Sequence, residues 1–328
     1  MSCKIIIHAA RKLYRFSSFY FFIVVLIGIH SSALAQSEVA AITTSGRSLD
    51  LSVDEKSDAI LVDFDLISNL IWFEAEIDGE KGRFILDTGA PTLLLNDWNG
   101  EDGSTVRGEA ANGAQFSLQE GRVNSFQLGG IEQGKQRVLG LDLSGMESRA
   151  GHPLQGIMGF EQLRSYELMI DYEAGRFELL NQKQKRDRIE EPVFSIPFRI
   201  ADHLPVIRLK VGQTTLHLAL DSGAACNLID QEVLDRDLEF ELTGEQTRLH
   251  VLSGGDNIAE FTELRNIKFR RHQLEDQVFA PVVFGKSLSD DIQIDGLLGQ
   301  PFFQSYRISI DYRKQKIHFW ENNSLAKF

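Results

Sequence analysis

One segment of this chain occurs twice, and that constrains its fold more than any other feature. FILDTGAPTLLLND (Phe84 to Asp97) returns as LALDSGAACNLIDQ (Leu218 to Gln231), 134 positions on. The similarity extends back without gaps, pairing Phe64 to Ala90 with Phe198 to Ala224. Apolar positions coincide: Phe64 with Phe198, Leu70 with Leu204, Phe84 with Leu218, Leu86 with Leu220. A second block, Gly156 to Leu180, matches Gly296 to Trp320, now 140 positions on. Two copies of one unit must each bury a core and can face each other across a pseudo-twofold axis. The six additional residues between the blocks of the second half are expected in surface loops, where insertions are tolerated.

The pattern within each unit is β. IWFEAEI, GRFILD, YELMIDY and RFELL are short runs of β-formers bounded by Gly, Asp or charged turns. Tyr166 to Leu180 reads as a hairpin bent at Glu173-Ala174-Gly175, and Tyr306 to Trp320 as its counterpart. Helical signal is short. PTLLLNDW (Pro91 to Trp98) and NLIDQEVLDRD (Asn227 to Asp237) each allow two turns, and GFEQLRS and GQPFFQS one each. The absence of long helical periodicity argues against a parallel α/β architecture. The expected fold class is all-β, mainly β with short helices, in two pseudo-symmetric lobes: residues 58–182 and 193–328, joined by a charged linker at 183–192.

The N-terminus differs in composition. Lys4, Arg11, Lys12 and Arg15 precede the apolar run Phe19 to Ile29, and Ser32-Ala33-Leu34-Ala35 follows. This is the layout of a secretory signal peptide over residues 1–35, cleaved after Ala35, which predicts a periplasmic or secreted protein. The run is short for a membrane span; an uncleaved anchor formed by residues 19–29 is the alternative. Residues 36–57 read as a polar N-terminal arm. Cleavage takes the net charge from -13 to -17, a poor match for nucleic acid or anionic lipid. Cys3 leaves with the leader. Cys226 then stands alone, so no internal disulfide forms, and it reads as a buried small hydrophobe.

The chemistry lies in the repeated turns, Asp87-Thr88-Gly89-Ala90 and Asp221-Ser222-Gly223-Ala224. Two carboxyls in contact do not both ionise easily. The ionised one can take a proton from water while the protonated one donates to a developing oxyanion, which hydrolyses a peptide bond without metal or covalent intermediate. Asp87 and Asp221 are the catalytic candidates. Gly89 and Gly223 allow tight turns that bring an amide N–H to the carboxylates. Thr88 and Ser222 offer hydroxyls that can bond between the halves.

These motifs resemble those of aspartic peptidases, in particular the retropepsin-like branch, single-chain and two-lobed. That family follows its Asp-Thr/Ser-Gly-Ala turn with two apolar residues and a glycine. Here these are Ile157-Met158-Gly159 and Leu297-Leu298-Gly299. The resemblance spans Phe64 to Trp320. It implies two retropepsin-like lobes with the active site between them, an endopeptidase acting on protein or peptide substrates, and no cofactor. Its apolar-apolar-Gly strand threads beneath the catalytic loop. The alanine after each glycine lacks the hydroxyl usual in pepsin-like enzymes. That predicts a mildly acidic to neutral optimum, because a donor to the ionised dyad is missing.

Each half also contains a candidate substrate-binding flap. Arg107 to Leu118 has Asn112-Gly113 at its tip, and His250 to Phe261 has Gly254-Gly255. A catalytically silent peptide-binding module is the alternative to an enzyme. Neither HExxH nor a Cys/His cluster occurs, so no metal is implied. No G-x-S-x-G turn is present. His152, His203, His217, His250, His272 and His318 show no grouping and read as surface or structural. Ser324 to Lys327 fits S-x-x-K but reads as tail. Asp171 and Asp311 occupy equivalent hairpin positions and are assigned to the turns. The expected partner is a polypeptide substrate, and a monomer suffices because both aspartates lie in one chain.

Overall fold

The computed structural model describes residues 20–23, 26–30, 59–98, 104–110, 115–181, 191–236, 238–251, 256–284 and 292–320. In the first half, strand Ile60–Ile67 turns through Ser68-Asn69 into Leu70–Ile77. Both turn residues have positive φ, 51° and 61°, which matches the right-handed twist of the flanking strands. Asp78-Gly79 repeats the device before Glu80–Leu86, with φ of 49° and 88°. The second half lays out Phe194–Ala201, Leu204–Val211 and Thr214–Leu220 in the same order.

The chain then departs from the helical reading of Pro91 to Trp98. Leu93–Asn96 is a strand, parallel to Gln136–Leu141 on one side and antiparallel to Gly156–Met158 on the other. Its three leucines are all buried. A strand inside a sheet covered on both faces carries a continuous apolar run, which periodicity does not distinguish from a buried helix. The counterpart Asn227–Asp230 lies between Gln277–Val282 and Gly296–Leu298 in the same way. Only the single turn Gln231–Leu234 after it is helical, its Glu232 N–H accepted by the Asp230 carboxylate at 3.2 Å. The turns Phe160–Leu163 and Gln300–Ser305 occur where expected. Helix Ser144–Ala150, ending on left-handed Gly151, was not anticipated: SGMESRA has a single buried apolar residue, Met146, to signal it.

A six-stranded antiparallel sheet joins the halves. Its order is Ile60–Ile67, Arg176–Leu180, Glu167–Asp171, Arg307–Asp311, Lys316–Trp320, Phe194–Ala201. The two repeated hairpins meet at its centre, with Leu168 opposite Ile310 and Ile170 opposite Ile308. Leu168, Ile170, Phe177, Leu179, Ile308, Ile310, Ile317 and Phe319 are buried and belong to one cluster spanning both halves. Each is worth about 1.5–3 kcal/mol relative to exposure, so this layer stiffens the joint between the lobes. Asp171 and Asp311 do cap the hairpin turns, accepting the Ala174 and Lys314 N–H groups at 2.9 and 3.0 Å.

The longer second half keeps its additional length mostly in one hairpin. Phe240–Val251 spans 12 residues where its counterpart Ser104–Ala110 spans 7. An irregular register between Leu242 and Gln246, with Gly244 at φ 74°, absorbs the mismatch. Within the expected leader, Tyr20–Ile23 runs parallel to Phe240–Val251, and Leu26–His30 antiparallel to Ser104–Ala110. The rest of the leader, the polar arm, most of the linker and the S-x-x-K tail lie outside the described residues. No helix among the described residues is long and apolar enough to cross a membrane.

Candidate active site

Each Asp turn is built by the same short-range logic. Glu80–Leu86 delivers Asp87 and Thr214–Leu220 delivers Asp221. The apolar-apolar-Gly strand runs parallel beside each, Met158 opposite Leu86 and Leu298 opposite Leu220. The carbonyls of Met158 and Leu298 accept the Asp87 and Asp221 N–H groups at 3.0 and 2.9 Å. The strand passes so close beneath the turn that a Cβ at Gly159 or Gly299 would lie 2.5 Å from the carbonyl oxygen of Ala90 or Ala224.

The two turns then lock to each other. The Thr88 hydroxyl accepts the Ser222 N–H at 2.9 Å and donates to the Leu220 carbonyl at 3.0 Å. Ser222 reciprocates, accepting the Thr88 N–H at 3.0 Å and donating to the Leu86 carbonyl at 2.9 Å. All four bonds are buried and all four join one half to the other. Such a closed network is geometrically unforgiving, since any member removed leaves a buried partner unpaired.

The lock brings Asp87 and Asp221 together. Both are fully buried, and each carboxyl lies against the glycine of the opposite turn. A Cβ on Gly223 would sit 2.3 Å from Asp87 Cγ, and one on Gly89 would sit 2.6 Å from Asp221 Oδ1. Only glycine permits this approach. Asp87 Oδ1 accepts the N–H groups of Gly89 at 2.7 Å and Ala90 at 3.1 Å. Asp221 Oδ1 accepts Gly223 N–H at 2.9 Å. Each Oδ2 is buried and has no hydrogen-bond partner among the described residues.

Burial is the first cause of the dyad's electrostatics. It pushes Asp221 up to about 7 against the lowering pull of Asp87 and two backbone amides. Asp87 is raised well above the ordinary carboxyl range, by burial first and then by the charge of Asp221. The two raised groups titrate as a pair. Tyr312, whose phenol burial keeps neutral, also feels both carboxylates.

Residues that the sequence gave no reason to select stand behind these turns. His203, read above as surface or structural, is 7% exposed, and its Nε2 donates to the Gly89 carbonyl at 2.7 Å. Its repeat counterpart Asn69 donates to the Ala225 carbonyl at 2.5 Å and accepts from Gln304 at 2.7 Å. Gln300 donates to the Ser222 carbonyl at 2.6 Å and accepts from the Tyr172 hydroxyl at 2.5 Å. The only advance signals were positional: Asn69 and His203 align in the gap-free block, and Gln300 directly follows Leu297-Leu298-Gly299.

The flap strands pair as hairpins, Arg107 opposite Ser117 and Leu249 opposite Asn257. Asn112, Gly113, Gly254 and Gly255 lie outside the described residues. Cys226 is buried, and burial pushes its thiol up to about 12, so it is no nucleophile. Ungrouped in the sequence, Glu167, Asp311 and His318 come together in the joining sheet, with one ligand atom of each within 4.8 Å of the others. Ser309 donates to Glu167 at 2.5 Å, Trp320 Nε1 donates to Ser309 at 3.2 Å, and Ser195 bonds His318 Nδ1 at 2.7 Å. These bonds tie Glu167 and His318 to their sheet neighbours, while Asp311 accepts the Lys314 N–H. A separate surface depression lined by Asp63, Asp65, Glu74 and Arg83 contains neither aspartate of the dyad.

A profile of the aspartyl protease family matches residues 73–161 and 207–302, one stretch in each half and together more than half of the 328 residues. None of the curated proteins compared matches the chain. Each matched stretch contains one Asp turn and the apolar-apolar-Gly strand beneath it. The chain thus belongs to the aspartyl protease family, with its retropepsin-like unit present twice.

Proposed function

We propose that this protein is an aspartic endopeptidase that hydrolyses peptide bonds of protein or peptide substrates through Asp87 and Asp221. One observation supports the reading: two buried carboxyls, each against the glycine of the opposite turn, held on symmetric turns by a cross-half lock. A water between them loses its proton to the ionised carboxylate as its oxygen attacks the scissile carbonyl carbon. The protonated carboxyl donates to the carbonyl oxygen, which becomes a hydroxyl of the tetrahedral intermediate. Collapse breaks the C–N bond: the leaving nitrogen takes the proton that came from water, and one hydroxyl of the intermediate returns its proton to the other carboxylate as the C=O re-forms. Neither aspartate forms a covalent bond. Thr88, Gly89, Ser222 and Gly223 hold the geometry, and the hairpins tipped by Asn112-Gly113 and Gly254-Gly255 are the flap candidates for covering an extended peptide.

The mechanism needs one carboxylate and one carboxyl; Asp221 ionises at about 7 and its charge holds the proton on Asp87, so activity rises as pH passes through about 7 and falls only once Asp87 ionises. The test is a peptide-library cleavage assay across pH, run beside Asp221→Asn. Cleavage by the wild type and none by the variant supports the dyad. Binding without cleavage at any pH favours the alternative, a silent peptide-binding module. We also propose export, with cleavage after Ala35; the N-terminal residue of the purified mature protein tests it.

A further inference from the structure

We propose that His203 and Gln300 are positioning residues that set the basicity of the dyad, each acting on one carboxyl through a single peptide group. The proposal rests on the peptidase reading for its kinetic consequence, but not for its titration. The Ala90 N–H that donates to Asp87 belongs to the peptide group whose carbonyl is that of Gly89, and that carbonyl accepts from His203. A carbonyl only accepts, so Nε2 carries the proton. In the other half, the Gly223 N–H that donates to Asp221 belongs to the peptide group of the Ser222 carbonyl, which accepts from Gln300. A donor on the carbonyl polarises the peptide and strengthens its N–H as a donor, most effectively away from water. His203 and Gln300 are both buried.

Both relays cross between the halves. His203 belongs to the second half and serves the first-half turn. Tyr172 belongs to the first half and orients Gln300 over the second-half turn. The relays are not copies of each other. The repeat counterpart of Gln300 is Phe160, whose ring meets Tyr312 edge-on at 5.6 Å. The counterpart of His203 is Asn69, whose amide reaches Ala225 and misses the peptide that feeds Asp221. One duplicated backbone thus recruits an imidazole for one carboxyl and an amide for the other. Loss of either donor disfavours the ionised carboxyl it supports and raises the titration of the pair.

The experiment is a 13C-carboxyl NMR titration of the full-length protein labelled at aspartate. His203→Leu and Gln300→Leu should each raise an apparent pKa of the dyad by about half a pH unit, the cooperative share of a charge-assisted hydrogen bond. His203→Gln retains an N–H donor and should restore the wild-type titration. Tyr172→Phe removes one hydroxyl and should give a smaller shift of the same sign, which keeps the test available should a leucine variant not fold. In the active enzyme the acidic limb of kcat/KM moves upward by the same amount, with KM changed less than twofold. Titrations unchanged in folded variants, or His203→Gln behaving like His203→Leu, overturn the relay. A wild type that cleaves no peptide yet shows these shifts removes the peptidase reading and leaves the relay standing.

Discussion

The two Asp turns share a backbone and differ in what surrounds them. Both follow a β-strand, both are underpinned by an apolar-apolar-Gly strand, and each receives two hydroxyl-mediated bonds from the other. Beyond that inner ring the symmetry ends. The first turn is held by His203 from across the interface; the second by Gln300 with Tyr172 behind it, and by Asn69. The flap strands differ too, 7 residues against 12 in the first strand of each. The comparison teaches that duplication fixes the geometry of the paired turns. Divergence outside the inner ring gives two chemically identical aspartates different surroundings.

Breaking the inner ring should cost both halves alike. Asp87→Asn and Asp221→Asn should each lower kcat on the order of a thousandfold or more, because the pair acts as a unit. Steady-state kinetics checks this; a variant retaining a tenth of wild-type activity would break the equivalence.

The dyad's titration sharpens the comparison through stability. The folded pKa of Asp221 is raised by burial from 3.8 to about 7, so the folded chain binds more protons than the unfolded one between those values. Stability is therefore lost as pH rises through about 4 to 7. Asp221→Asn carries no such loss. Its advantage over wild type should be absent below about pH 4 and reach roughly 4 kcal/mol, as an upper limit, above pH 7. Urea denaturation at several pH values measures it, and a difference independent of pH would refute the raised titration.

Smaller effects separate the halves. Gly223→Ala and Gly89→Ala each drive a methyl into the opposite carboxyl, at 2.3 and 2.6 Å respectively. Each should cost about 1–3 kcal/mol and abolish cleavage, Gly223→Ala being the worse. Thr88→Val leaves the Ser222 N–H unpaired, and Ser222→Ala does the same to Thr88. Each should cost about 1–3 kcal/mol, with the double variant well short of the sum. Chemical denaturation of the three chains decides. Smallest of all, Cys226 lies outside the network: native protein should resist alkylation, and Cys226→Ala should leave kcat unchanged.

Much of the site was legible in the residues because it is local and repeated. An Asp turn with glycine two residues on, preceded by an apolar strand and answered by apolar-apolar-Gly, is a short-range pattern, and its second occurrence removes chance. The strand at Leu93–Asn96 was not legible. Its leucines satisfy helical and buried-strand patterns equally, and only pairing on both edges decides between them. His203 looked like any histidine, since nothing in its own segment shows that Gly89 lies 2.7 Å away. The joining sheet was half legible: both hairpins were evident, but not that Glu167–Asp171 pairs with Arg307–Asp311.

The sequence by itself determined the duplication, the all-β class and the one aspartate that each copy's turn presents, because strand propensity, turn chemistry and repetition act over short chain distances. The tertiary structure alone decided that those carboxyls meet, that Thr88 and Ser222 exchange partners, and which buried side chains feed each turn. Those contacts join residues 78 or more positions apart, and burial, which raises both carboxyls, exists only once the halves have closed on each other.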